Sequence, residues 1–147
     1  PAQLSAECSR LVERRFITER QLSAVELPAI ARLLTSRLGE RIRNSTRVLR
    51  EYRFSVPIPA RAVDPSVDDR FADEAVVLQG AVDCLFEEDG KLFIVDFKTD
   101  RVKNMDQLRE KYAAQLELYA LAVTRTLECP VGGKILYSLH LGEEINV

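Results

Sequence analysis

The sequence predicts an α/β fold in which helices come first, followed by three strands, a long helix and a closing strand. Three observations carry this reading. Apolar residues recur at helical spacing over residues 3–14, 19–37 and 105–127. The period drops to two from Arg47, where Val48, Tyr52, Phe54 and Val56 alternate with Glu51, Arg53 and Ser55. Asp89-Gly90 then separates two apolar runs, the strongest short signal for a tight hairpin because its turn needs residues that tolerate positive φ.

In the first helix, over residues 3–14, Leu4, Cys8, Leu11 and Val12 form one face. Thr18 with Gln21 three residues later is a capping-box pattern, and it opens a mostly helical stretch over 19–37. Pro28 suits the first turn of a second helix starting near Glu26. Gly39 is expected to end that element, with a short helical turn at 40–45. A strand runs from Arg47 to about Val56, stopped by Pro57 and Pro59, with Arg50 standing on its apolar side. Residues 58–73 show no sustained period and read as loop. The hairpin follows, from near Glu74 to Lys98. A helix from Met105 to Leu127 carries a stripe that includes Leu108, Tyr112, Leu116, Tyr119 and Val123, closed by Pro130 and Gly132-Gly133. Lys134 to Leu141 is the last strand.

At 147 residues the chain is one domain's worth, long enough to bury a core. No apolar run approaches the roughly 20 residues of a membrane span, no signal-peptide pattern opens the chain, and a cytoplasmic, membrane-free protein is expected. Cys8, Cys84 and Cys129 are far apart and odd in number, which argues against a zinc site, an iron–sulfur cluster or a disulfide framework. Residues 1–63 carry 12 arginines, no lysine and 6 acids, whereas residues 64–147 carry 9 basic and 17 acidic groups. A basic first half can meet phosphate. The acidic second half fits metal binding better than broad affinity for nucleic acid.

The hairpin holds the chemistry. Counting outward from Asp89-Gly90, Phe86 faces Phe93, Leu85 faces Ile94 and Asp83 faces Asp96. Carboxylates facing each other across an antiparallel pair, about 5 Å apart, repel by roughly 3 kcal/mol at an effective dielectric of 20. A hairpin shaped only for stability would gain from losing that pair. Lys98 lies two residues beyond Asp96 on the same face, with Ala81 opposite. Two acids beside a lysine suit a hard divalent cation such as Mg²⁺ next to a positively charged catalytic group. On the following helix Gln115 and Tyr119 are four apart and share a face. An amide beside an apolar stripe needs a partner, since an unsatisfied one costs about 1–3 kcal/mol.

These residues together resemble a family. Gly80-x-x-Asp83, then Val95-Asp96-Phe97-Lys98-Thr99-Asp100, then Gln115-x-x-x-Tyr119 is similar to the nuclease domain of RecB/AddA-type proteins, a branch of the PD-(D/E)XK superfamily. The Lys-Thr-Asp-Arg run and the closing Ile-Leu-Tyr-Ser-Leu look most like the AddA (RexA) type. The resemblance implies a restriction-endonuclease-like core of order α-β-β-β-α-β, a mixed sheet flanked by helices, with extra N-terminal helices. It divides a single nuclease domain, 1–147, into a helical segment (1–45) and a nuclease core (47–141). It also implies metal-dependent DNA cleavage in an enzyme that processes double-strand breaks for recombination. Asp83 and Asp96 would ligate Mg²⁺, with Mn²⁺ or Ca²⁺ able to take its place, and the Phe97 backbone carbonyl would be a further ligand. Lys98 would be the catalytic lysine. Gln115 and Tyr119 would contact DNA or support the site. Glu51 matches a family position where an acid precedes the first strand's aromatic, although a Glu51–Arg53 or Glu51–Lys98 ion pair is an equally ordinary role. Implied partners are single-stranded DNA fed by a helicase motor, helicase domains of the same parent chain, and a second protein of the AddB/RexB type.

One departure stands out. The family usually supplies a histidine from an upstream helix, yet the single histidine here is His140, after the motifs and expected on the last strand. Truncation ahead of Pro1 would account for this and would fit a start in mid-helix. Absent cluster cysteines favour the AddA side over the AddB side. Two other readings stay open: a DNA-binding or assembly module with an incomplete site, and a stand-alone restriction-type or CRISPR-associated nuclease of the same fold.

Overall fold

The computed structural model describes residues 2–147. The chain divides into two compact units, a helical one ending at Arg43 and a second spanning Asn44–Val147.

The first unit holds α1 (Ala2–Glu13), α2 (Glu19–Ser23), α3 (Leu27–Thr35) and most of α4 (Arg37–Asn44). The capping box forms as expected: the Thr18 hydroxyl accepts from Gln21 N at 3.2 Å, and Gln21 Oε1 accepts from Thr18 N at 2.8 Å. Pro28 lies in the first turn of α3, where its missing N–H costs nothing. Gly39 does not end a helix. The break comes earlier, at Ser36, whose hydroxyl accepts from Gly39 N at 3.1 Å and so caps α4. A Cβ on Gly39 would lie 2.2 Å from the Leu33 carbonyl oxygen, so only glycine lets the two helices join this closely.

The second unit is a five-stranded sheet in the order β1 (Val48–Pro59), β2 (Ala75–Glu88), β3 (Lys91–Lys98), β4 (Val131–Ser138) and β5 (Glu143–Asn146). All neighbours are antiparallel except β3 and β4, which the long helix α6 (Met105–Leu127) connects in parallel. This is the mixed sheet the resemblance implied. The helix α6 is capped by Asn104, whose Oδ1 accepts from Gln107 N at 3.2 Å. It packs on the sheet through a core that includes Val82, Leu85, Ile94, Leu108, Leu116 and Leu136.

Four boundary expectations are corrected. Pro57 and Pro59 do not stop β1, which pairs with β2 through Pro59. As an edge strand, β1 can spare the missing N–H groups, and Arg125 Nη1 of α6 donates to the Pro57 carbonyl at 2.8 Å. Residues 58–73 include a short helical turn, α5 (Ala60–Val63). The end of α6 is made by Glu128 in the left-handed region, φ 49°. Gly132 and Gly133 instead lie in β4, against the Lys91 and Phe93 side chains. The last strand starts at Val131, ends at Ser138 and is followed by β5. His140 is an exposed turn residue between them, not a strand residue.

Arg50 is also explained. Leu49 and Tyr52 both pack against the core, so the side-chain alternation of β1 slips by one between them. The slip falls at Glu51, whose φ of 52° is left-handed, and it turns Arg50 out to solvent. On β2 both Val82 and Leu85 join the same core, so a matching slip brackets Asp83.

Candidate active site

The hairpin register is the one read from the turn: Glu88 pairs with Lys91, Phe86 with Phe93 and Leu85 with Ile94. Bridging stops at Cys84–Val95, one pair short of Asp83 and Asp96. There the two strands part, and the Asp83 carboxylate takes over from the β2 backbone: its Oδ2 accepts the Phe97 N–H at 2.8 Å. The same N–H would otherwise need a partner as the strands separate. The slip in β2 and the end of the ladder thus aim Asp83 at β3.

Asp96 is 4% exposed, and the parallel pairing of Asp96 with Leu136 fixes its backbone. Lys98 Nζ lies 2.6 Å from Asp96 Oδ2. The contact is an ion pair by distance but is poorly aligned as a hydrogen bond, and this buried oxygen has no hydrogen-bond partner among the described residues. Burial pushes the Asp96 carboxyl above its ordinary value. Lys98 pulls it back, while the nearby Asp83 and Asp100 carboxylates add to the rise. A carboxylate buried this deeply, with Asp83 and Asp100 near it and only partly offset by Lys98, is where a further cation would relieve charge.

Among the described residues, no three His, Cys, Asp or Glu side chains gather closely enough to hold a metal. Mg²⁺, however, commonly takes one or two carboxylates and completes its shell with water and substrate phosphate. Asp83 and Asp96 fit that demand.

The lysine is held from a second side. Its Nζ stands 3.7 Å from the centroid of the Tyr112 ring, on α6. The Tyr112 hydroxyl donates to the Asp100 carboxylate, 3.1 and 3.2 Å from its two oxygens. Lys111 Nζ lies 2.6 Å from the same carboxylate. These contacts hold the Asp100 carboxyl below the ordinary range, the Lys111 hydrogen bond most of all, and raise Lys111.

One turn further along α6, Gln115 Nε2 donates to the Tyr119 hydroxyl at 2.8 Å, which supplies the partner the amide needed. The Tyr119 ring meets Phe54 edge-on, with centroids 5.3 Å apart. Both rings press on Gly80, where a Cβ would lie 2.7 Å from Phe54 Cζ and 3.0 Å from Tyr119 Cε1. Gly80, Phe54, Tyr119 and Gln115 therefore form one chain of contacts from β2 across β1 to α6.

The sequence profile of the PD-(D/E)XK nuclease superfamily matches residues 1–145. The chain belongs to the PD-(D/E)XK nuclease superfamily.

Similar curated proteins are named as the A subunits of ATP-dependent helicase/nucleases. The protein of Heliobacterium modesticaldum is 36% identical over 98% of this chain and 11% of its own length. That of Bacillus licheniformis is 35% identical over 92% of this chain and 12% of its own, and that of Clostridium botulinum (strain Kyoto) 33% over 98% and 11%. The chain thus spans about a tenth of the length of the curated relatives it matches. It is a PD-(D/E)XK nuclease domain matching the nuclease region of those proteins, and nucleases of this superfamily generally use divalent metal ions. No helix of the described residues is long and apolar enough to cross a membrane.

Set against the superfamily's chemistry, Asp83, Asp96 and Lys98 come together at the end of β3, with Phe97 between the last two, its N–H turned to Asp83. Glu51 is exposed and makes no ion pair with Arg53 or Lys98 among the described residues, while its register position falls opposite Asp83, between the Arg50–Cys84 and Tyr52–Val82 pairs. The residues that sequence reasoning passes over are Tyr112 and Asp100. By periodicity Tyr112 is only part of the apolar stripe, although it precedes Gln115 and Tyr119 by three and seven positions, on their own helical face.

Proposed function

We propose that this chain is the nuclease domain of a helicase–nuclease that cuts DNA phosphodiesters during the processing of double-strand breaks for recombination. The observation that carries the reading is the convergence of Asp83, Asp96 and Lys98 where β2 and β3 part. Asp83 and Asp96, with the Phe97 carbonyl, would hold Mg²⁺, which when bound polarises a phosphoryl oxygen and lowers the pKa of a coordinated water. Lys98 contributes the positive charge. Beside Asp96 it can orient the attacking water, help remove its proton, or neutralise charge building on phosphorus. Asp83 keeps the β3 backbone in place through Phe97. Gln115 and Tyr119 support the site from α6 or meet the strand.

The reaction class is exonucleolytic, on single-stranded DNA delivered by the helicase motor of the parent chain, in the cytoplasm and beside a partner of the AddB/RexB type. The nuclease core occupies 47–141, behind the helical segment 1–45. A second reading is favoured by one observation, the absence of a third metal-binding side chain beside Asp83 and Asp96 among the described residues. In it, this stretch binds DNA or assembles without cutting.

The deciding experiment measures Mg²⁺-dependent cleavage of single-stranded DNA by the full-length protein, wild type against Asp96→Ala. The expected result is loss of cleavage with helicase activity kept. Undiminished cleavage by a folded Asp96→Ala protein overturns the assignment, and metal-independent binding without cleavage by the wild type favours the second reading.

A further inference from the structure

We propose that Tyr112 is a positioning residue for Lys98, its ring face fixing the ammonium beside Asp96 while Asp100 and Lys111 fix the ring. The inference rests on the nuclease reading, since it concerns how the lysine of that site is aimed.

A lysine is a point charge on a flexible four-carbon stem, and it carries no geometric preference of its own. An acid alone would hold Lys98 by distance only. Here the ammonium is 2.6 Å from Asp96 Oδ2 and 3.7 Å from the Tyr112 ring centroid, with the side chain 14% exposed. An aromatic face attracts a cation through its quadrupole, most strongly where water is excluded. Carboxylate and ring therefore pin the Nζ from two sides.

The ring is pinned in turn. Its hydroxyl meets both oxygens of Asp100, which lies only two residues past Lys98. Lys111, next to Tyr112 on α6, closes onto Asp100 and stands 4.8 Å from the same ring centroid. The link from β3 to α6 thus folds back so that its Asp100 carboxylate is held by two side chains of the helix. A tyrosine present only to fill the core would have no need of this brace, and its loss would cost the same whatever stood at position 98.

The test has two readouts on the full-length protein. One is steady-state cleavage of single-stranded DNA; the other is the rate at which Lys98 is acylated by a succinimidyl ester, followed by peptide mass spectrometry. For Tyr112→Leu we expect kcat to fall about 10- to 100-fold, the range a misplaced catalytic group produces, with KM for DNA unchanged. Lys98 labelling should rise several-fold. Tyr112→Phe, which keeps the ring but loses the hydroxyl's hold on Asp100, should fall between wild type and Tyr112→Leu on both readouts. In a Lys98→Ala background, Tyr112→Leu should cost no further activity. Trifluorophenylalanine at position 112 keeps the shape but weakens the ring's pull on a cation, so it should behave like leucine in both readouts even if Tyr112→Leu itself fails to fold.

The proposal is overturned if the fluorinated ring matches Tyr112→Phe, or if the leucine penalty is as large without Lys98 as with it. Failure of the underlying reading looks different. Lys98→Ala would then cleave at the wild-type rate, while the labelling series would still decide whether the ring holds the ammonium.

Discussion

Replacing Gly80 with alanine tests whether β2 is drawn against α6 as tightly as the two aromatic rings require. The new Cβ would stand 2.7 Å from Phe54 Cζ, 3.1 Å from Phe54 Cε1 and 3.0 Å from Tyr119 Cε1. Carbon atoms rest at about 3.5–4.0 Å, so a ring or the strand must retreat by roughly 0.5–1 Å. Neither ring gives way freely. Phe54 is buried among Val56, Val82 and their neighbours, and Tyr119 is tied to Gln115 by its hydroxyl. Overpacking of this kind costs about 1–3 kcal/mol. Removing a glycine from a strand returns about 0.5–1 kcal/mol. The net loss is therefore about 0.5–2 kcal/mol, or roughly 2–8 °C in melting temperature for a chain of this size. Circular dichroism melts and urea titrations followed by tyrosine emission measure it, since the chain has no tryptophan. Phe54→Leu in the same background shortens the obstructing ring and should recover part of the loss, giving a coupling of opposite sign to the single costs. A Gly80→Ala protein that melts at or above wild type refutes the reasoning, as does strict additivity with Phe54→Leu.

Glu51→Gly should raise stability by about 1 kcal/mol, because it relieves a left-handed backbone at a non-glycine residue. A lower urea midpoint would show that the Glu51 side chain does more than tolerate the strain. Asp83→Ala leaves the Phe97 N–H without its acceptor, at a cost of about 1–3 kcal/mol. Hydrogen exchange at that amide should quicken roughly tenfold or more, and unchanged protection would place the bond elsewhere. Lys111→Ala should move the Asp100 carboxyl up toward its ordinary 3.8, read by carbon NMR titration. Because the folded value is depressed, the stabilisation from this pairing is present above pH 3.8 and lost as pH falls through the folded value. In Lys111→Ala that acid sensitivity should shrink; if the Asp100 titration stays where it was, Lys111 is not what depresses it.

The parts of the fold legible in the sequence are those written in local chemistry. Asp89-Gly90 sets the hairpin register, Thr18 and Gln21 mark the start of α2, and the apolar stripe marks α6 and its approximate extent. The misreadings come where tertiary context decides. Proline breaks a strand only if a neighbour needs its N–H, and no local pattern says that β1 is an edge. Glycine ends a helix only if the chain turns there, whereas Gly39 is used for close approach. The strand β5 has four residues and depends on its pairing with β4, so no periodicity could reveal it. In the site, Asp83, Asp96 and Lys98 can be named from register and spacing. Their setting is less open: the end of the β2–β3 ladder is a backbone event without a mark in residue type, and the slip at Glu51 shows only as Arg50 falling on the apolar side of the strand.

The treatment of Pro57 bears on how this sheet behaves among other copies of itself. An edge strand offers a row of free donors and acceptors, an invitation to any extended chain nearby. At Pro57 that invitation is withdrawn on both counts: the residue has no amide proton to give, and its carbonyl is already taken by Arg125. Pro59, two residues on, removes a second donor. A strand recruited to the outer side of β1 would find the bonding row interrupted over its last residues, so intermolecular sheet growth through that edge is discouraged by the same residues that tie it to α6.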